Sequence, residues 1–241
     1  MGFGDVLDAS FQIYRKAFWQ FAIVQAIVAV PVTIAQALLL GDFISGTGTL
    51  SFAVVQRHLP WTLITGLLGL VQAAAVGALA EETAHGRPPS VSAAYSRIVQ
   101  RLPWLIGAGI IGGVVIGALT FVFVLPGIIA LIYFAPALFL VTLGREGVFQ
   151  SLLHSVKLVQ GFFWRLVGIL VMAGVLVFIV NLFVSLVATV ASNPLRNPSS
   201  APTAVIVVTT IANILLSSFP LIALYVQYAD LRTRRGEIAT D

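Results

Sequence analysis

From Trp104 to Val141 the chain runs for about 38 residues without one charged side chain, and a single helical crossing of a bilayer needs roughly 20. The run therefore predicts two successive crossings, with Leu125-Pro126-Gly127 as the turn chemistry between them. Composition extends the argument to the whole chain. With 59% hydrophobic and 9% charged residues in 241, there is more apolar surface than one soluble core of this size can hide. Backbone in lipid must satisfy its own hydrogen bonds, and long continuous apolar segments, as opposed to short alternating ones, favour helices over a barrel. The expected fold class is all-α, a polytopic membrane helical bundle.

Six spans are predicted, at about 17–40, 62–80, 104–123, 127–143, 163–191 and 203–228. Pro31 and Pro220 should bend the first and last. Three amphipathic segments, at about 5–16, 90–102 and 147–160, precede the first, third and fifth spans as surface helices. In the third of these, Val148, Phe149, Leu152, Leu153, Val156 and Val159 share one arc. Gln150, Ser151, His154, Ser155 and Lys157 share the other, with Leu158 and Gln160 off pattern. In the first, Val6, Leu7, Phe11 and Ile13 oppose Asp5, Asp8, Gln12, Arg15 and Lys16, with Asp5 placed to cap and Ser10 misplaced.

Aligning Trp19, Trp104 and Trp164 superposes Asp5-to-Trp19, Ser90-to-Trp104 and Gln150-to-Trp164. The chain then reads as three parallel copies of a surface helix plus a transmembrane hairpin. A loop at Gly41–Trp61 separates the first pair of spans, Glu81–Pro89 is a polar turn, and Ser192–Pro202 is a second loop. No secretory signal is expected: Asp5 and Asp8 stand where a basic region belongs, so the first span is retained.

Of the 13 Lys and Arg residues, Arg15, Lys16, Arg87, Arg97, Arg101, Arg145, Lys157, Arg165, Arg232, Arg234 and Arg235 fall on the side carrying both termini. Arg57 and Arg196 fall on the other. The positive-inside rule makes the first side cytoplasmic, in the cell membrane. The same basic face invites contact with anionic lipid, for which Arg15, Lys16, Arg97, Arg101, Lys157, Arg165, Arg232, Arg234 and Arg235 are the candidates.

Chemistry is sparse. The absence of cysteine removes disulfides and thiolate sites. Glu82 and His85 have the i, i+3 spacing of half a di-metal motif, but no second copy exists, and a solvated turn is expected. His58 and His154 stand isolated, and there is no phosphate loop or nucleophile with its base. No charged residue lies within a span except at edges such as Arg165, which argues against proton coupling. Gln25, Gln36, Gln72, Asn181, Ser185, Thr209, Asn213 and Gln227 do lie within spans, as hydrogen-bonding glue between helices or as the lining of a substrate path. Gly109, Gly113 and Gly117 form a double GxxxG, and Gly69, Ala73 and Gly77 a row of small residues, both candidates for helix packing within the protomer or between copies.

The stretch Gly4-Asp5-Val6-Leu7-Asp8-Ala9-Ser10-Phe11-Gln12-Ile13-Tyr14-Arg15-Lys16-Ala17-Phe18-Trp19 resembles a bacterial multi-pass family related to the membrane domain of glycerophosphoryl diester phosphodiesterase. So does Ser151 to Trp164, through Ser155, Lys157, Gly161 and Phe163-Trp164, although Leu153, His154 and Gln160 depart from positions that are often basic. The resemblance implies a six-span module of poorly defined role, and it does not imply phosphodiesterase activity, since no stretch of the sequence reads as the soluble barrel that would hold the metal-binding Glu and His residues. The expected role is a non-enzymatic structural, lipid-interacting or accessory module. A permease for a small neutral or amphiphilic solute, bent around Pro31, Pro126 and Pro220, is the alternative. Expected partners are membrane lipids and a second copy or another membrane protein, with no nucleic acid, cofactor or metal.

Overall fold

A computed structural model describes residues 2–39, 52–144, 146–191 and 201–236. Arg145, Arg196, most of the two expected loops and the last five residues lie outside them. Among the described residues the chain is helical, with no strand: α1 Phe3–Lys16, α2 Phe18–Leu39, α3 Phe52–Ala84, α4 Val91–Val122 and α5 Val124–Phe134. Then follow α6 Ala137–Thr142, α7 Val148–Val159, α8 Phe163–Ala191, α9 Ala201–Leu216 and α10 Ser218–Arg234. Six stretches of this bundle are long and apolar enough to cross a membrane: Phe18–Gln36, Pro60–Ala84, Val91–Val122, Val124–Thr142, Phe163–Ala191 and Val205–Arg234. The chain is a multi-pass membrane protein of all-α class.

Several boundaries differ from expectation, each for a local reason. α1 begins at Phe3, where the Asp5 carboxylate accepts from the Gly2 backbone N–H, one half of a capping box. α3 starts at Phe52, inside the expected loop, so Arg57 is helical, and it runs on to Ala84, so Glu81 and Glu82 lie in its last turn. The segment 90–102 is no separate surface helix. It is the opening of α4, which Ser90 caps and which passes straight through Pro103. Proline removes one helical hydrogen bond and crowds the preceding turn, yet Ala94, Ile98, Leu105, Ala108 and Gly112 keep one buried stripe across it.

The hairpin between α4 and α5 turns at Phe123 alone, with extended backbone, and Leu125-Pro126-Gly127 instead forms the first turn of α5, where proline is tolerated. Gly127 is required there: a Cβ would collide with the Thr120 hydroxyl and sit 2.9 Å from the Thr120 Cα. The fourth span breaks again between α5 and α6, at Ala135-Pro136. The sixth breaks at Ser217, three residues before Pro220, which lacks the N–H that the Leu216 carbonyl would accept. Tyr14 of α1 donates its hydroxyl to the neighbouring Leu215 carbonyl and holds that break in place. Gly86 (φ +67°) and Gly161 (φ +88°) supply the left-handed residues that turn α3 toward α4 and α7 toward α8.

Packing is uneven along the bundle. The core lies at the end formed by α1, the α3–α4 turn, α7 and the close of α10, the basic end hereafter. Phe21 and Val24, Ala74 to Leu79, Ile98 and Leu105, Phe139 to Val141, Leu166 and Ile169, and Ile222 to Val226 meet there. Toward the far end nothing is buried in α2 from Ala26 to Gln36 or in α4 beyond Gly112, and α8 beyond Ala173 buries only Ala188. Phe121 is 93% exposed. Such a surface belongs in lipid tails.

Candidate functional site

Two regions carry candidate function: the rim of the basic end, and a polar cleft deeper in the bundle.

At the rim, each repeated segment divides its circumference three ways. In α7 the core side is Ser151, Leu152, Ser155, Leu158 and Val159. Phe149 and Leu153 face outward as exposed apolar residues, and Gln150, Lys157 and Gln160 are exposed polar ones. The expected polar arc is thus divided. Ser151 and Ser155 are wholly buried, donating to the carbonyls of Val148 (2.8 Å) and Tyr133 (2.6 Å), while Leu158, off the expected arc, is core. α1 does the same: Val6, Ser10 and Ile13 are buried, Phe11 is exposed, and Asp8, Gln12, Arg15 and Lys16 are exposed beside it. Ser10 is not misplaced, because its hydroxyl donates to the Val6 carbonyl at 2.6 Å and its small size lets α1 approach. A two-sided helix lies on a membrane; a three-sided one meets protein, lipid and water at once.

Trp19, Trp104 and Trp164 are all exposed, at 72%, 48% and 80%, as aromatic anchors at a bilayer interface would be. Trp104 also lines an apolar groove of about 320 Å³ between α4 and the start of α7, with Gly107, Ile111, Val148 and Phe149.

The nine candidate lipid-contacting cations separate into two groups. Arg97 pairs with Glu81 and lies 4.0 Å from Glu82. Arg165 meets Asp230 at 3.0 Å and Arg234 meets the same oxygen at 2.9 Å. Arg232 donates to the Tyr228 hydroxyl at 3.2 Å. Arg235 donates to the carbonyls of Lys157 (2.8 Å) and Gln160 (2.6 Å), capping the negative end of α7, and both Arg234 and Arg235 lie over the Phe162 ring. These five are spent inside the protein. Arg15, Lys16 and Lys157 are exposed and Arg101 half-buried, and none has a side-chain hydrogen bond or ion pair among the described residues.

Asp230 is the residue that sequence reasoning missed. It lies two positions past the expected end of the sixth span, is 8% exposed, and joins α8 to α10. Its i, i+4 spacing to Arg234 was the one available signal. His154, expected to stand alone, pairs with Glu146 at 2.7 Å. Glu82, expected in a solvated turn, is buried and accepts from the Ser90 N–H at 3.0 Å. Among the described residues no three His, Asp or Glu side chains come together as metal ligands would.

The small-residue rows are only partly used. At Gly77 a Cβ would collide with the buried Phe139 ring, and at Gly109 with the tip of Leu70. At Gly69, Gly113 and Gly117 it would meet nothing within 4 Å, and Ala73 is half-buried. The double GxxxG therefore packs through its first glycine and presents the other two outward.

The second region is a cleft of about 290 Å³ whose wall includes Gln25, Thr33, Thr65, Gly69, Gln72, Asn213 and Ser217. Its apolar part is Val28, Ala29, Val32 and Leu221. α2 packs against both α3 and α9, and the cleft lies between these three helices. At 1.5 Å per residue, Gln25 and Thr33 lie about 10 and 22 Å along α2 from Phe18. The cleft thus runs through the middle of the membrane toward the far end, closed below by the core. At its floor Gln25 donates to Ser218 at 2.9 Å, and Gln72 donates to the Gln25 side-chain oxygen. Those are the interhelical bonds expected of intramembrane amides. Asn181, Thr209 and Asn213 instead bond carbonyls of their own helices, Gln36 is exposed, and Gln227 is wholly buried with neither amide atom partnered.

The chain matches no protein-family model, no curated protein and no solved structure.

Proposed function

We propose that the protein is a non-enzymatic cytoplasmic-membrane module that holds anionic lipid at its basic end, with that end and both termini in the cytoplasm. The observation that carries this is the groove beside Trp104. It is apolar, lies at the depth of an exposed tryptophan, and has the uncommitted Arg101 one turn above it. Acyl chain in the groove and phosphate at Arg101 is the arrangement that such a place fits. Arg15, Lys16 and Lys157 extend the positive rim around the other two copies. Membership of the family that resembles Asp5–Trp19 and Ser151–Trp164 belongs to the same reading.

The test is lipid retention by native mass spectrometry after extraction from bilayers of mixed phosphatidylglycerol and phosphatidylcholine. A charge near the surface is worth about 1 kcal/mol, roughly fivefold. Arg101→Gln should lower phosphatidylglycerol retention by about that factor, and adding Arg15→Gln, Lys16→Gln and Lys157→Gln should remove the preference for it. Arg232→Gln, whose charge is engaged with Tyr228, should change it little. Equal retention of both lipids by the wild type would refute the reading.

One observation favours the permease for a small neutral or amphiphilic solute: the polar-lined cleft reaches the middle of the membrane. Uptake into proteoliposomes tests that second reading.

A further inference from the structure

We infer that the cleft between α2, α3 and α9 is a binding site for an uncharged, hydroxyl-bearing amphiphile. The cleft leaves polar atoms over. The Asn213 amide nitrogen donates one of its two protons to the Thr209 carbonyl at 3.0 Å, so its side-chain oxygen remains to accept and one N–H remains to give. The Thr65 hydroxyl proton is committed to the carbonyls of Trp61 and Thr62, at 3.0 and 3.1 Å, so its oxygen too can only accept. Gln72 spends its nitrogen on Gln25, and its side-chain oxygen has no donor among the described residues. The wall therefore offers three acceptor oxygens against one amide N–H, supplemented by the hydroxyls of Thr33 and Ser217, which can give or take.

Acceptors at this depth call for a ligand that brings O–H donors, since in a bilayer an unmet polar group is costly. Charge is excluded by the same reasoning: no Asp, Glu, Lys, Arg or His lines the cleft, and an ion there would be desolvated without a partner. Val28, Ala29, Val32 and Leu221 provide the apolar side for a hydrocarbon portion. At about 290 Å³ the cleft is at the small end of the range for ligand sites, which suits one hydroxyl-bearing head and the start of a chain.

The same chemistry can arrive from water or from the bilayer, and the two sources can be separated. The purified chain in phosphatidylcholine nanodiscs is offered 1,2-hexanediol as a soluble probe, or dioctanoylglycerol as a membrane-borne one. Trioctanoylglycerol, which lacks a hydroxyl, and octanoate, which is charged, are the controls. Binding is read by native mass spectrometry and by the shift in thermal midpoint. A hydroxyl-bearing probe is expected to bind and both controls to fail; which of the two probes binds identifies the source.

Thr65→Val with Asn213→Leu removes two acceptors that bridge no helices, so the fold is kept while binding falls about tenfold. Gly69→Leu fills the cleft where an added Cβ meets nothing within 4 Å, and should abolish binding; its thermal midpoint without probe reports folding independently. Equal binding of probes and controls, or binding unchanged in both variants, would overturn the inference. The site does not depend on transport: binding without uptake into vesicles defeats the permease and leaves the site standing, whereas absence of binding defeats the site.

Discussion

Replacing Asp230 by Asn should be among the most damaging single exchanges in this chain, and the structure lets the cost be worked out. The Asp230 carboxylate is 7% exposed and accepts from Arg165, itself 15% exposed, at 3.0 Å. The second arginine, Arg234, is 38% exposed and only four residues away on the same helix. Breaking a buried ion pair from one side costs about 3–5 kcal/mol, because the surviving charge is stranded. An exposed i, i+4 pair is worth about 0.3–0.5 kcal/mol. The Arg165 contact therefore dominates. Two features reduce it: asparagine retains one acceptor oxygen, and Arg165 sits at the interface beside the exposed Trp164, where a long side chain can turn toward water. The net expectation is a loss of about 2–3 kcal/mol for Asp230→Asn, against about 1 kcal/mol or less for Arg234→Gln, which also gives up its place over Phe162.

The assay is unfolding in mixed micelles by titrated dodecyl sulfate, followed by tryptophan fluorescence, with Arg165→Gln and the double variant completing a thermodynamic cycle. The double variant should be no worse than Asp230→Asn alone, because removing the stranded cation relieves its cost. A loss under about 0.5 kcal/mol for Asp230→Asn, or additive losses in the cycle, would show that Arg165 is solvated like a surface group.

The same titration separates the glycines. Gly77→Ala drives a Cβ into the buried Phe139 ring and should cost about 1–3 kcal/mol as overpacking does. Gly117→Ala meets open space and should be neutral or stabilising by up to about 1 kcal/mol, the helix-propensity difference; a loss there would reveal a partner on that face. Orientation is testable because the chain has no cysteine. An impermeant maleimide applied to intact cells should label Phe123→Cys at the far turn and spare Ser96→Cys at the basic end, and the reverse pattern would invert the proposed topology.

The fold class and the number of spans could be read from hydropathy because lipid leaves so few ways to satisfy a backbone. Breaks were harder. Proline was visible at Pro103, Pro126, Pro136 and Pro220, but its consequence depends on what surrounds it. α4 continues through Pro103 because a buried stripe on both sides holds the helix together, and the residue whose carbonyl is left over, Val99, is exposed. Pro136 does break its span, between an 11-residue and a 6-residue helix. The polar cleft was half legible: its glutamines and Asn213 were recognisable as intramembrane polar groups, but only the arrangement of α2 between α3 and α9 shows which of them share a space. The cations show the opposite limit, since a charge count groups Arg97, Arg165 and Arg235 at one end of the bundle and says nothing of the partners that consume them.

Why the core gathers at one end follows from the residues along each helix. Between helices in lipid there is little hydrophobic force, so close approach of small residues and polar bonds must hold them together. α3 has that composition most densely late in its course, from Ala73 through Gly77 to Ala80, and it is there that the helix is buried. α1 and α7 add the small buried hydroxyls of Ser10, Ser151 and Ser155 at the same end, and the ion pairs of Arg97 and Arg165 lie there too. The far part of α8, from Val175 through Phe183 to Val190, is mostly large and branched, offers little to a neighbouring backbone, and buries only Ala188. Gly113 and Gly117 have the spacing of a packing motif but lie beyond the last buried residue of α4. The informative quantity is therefore where along a span the small and polar residues accumulate, and beyond that zone α2, α3 and α9 leave the cleft between them.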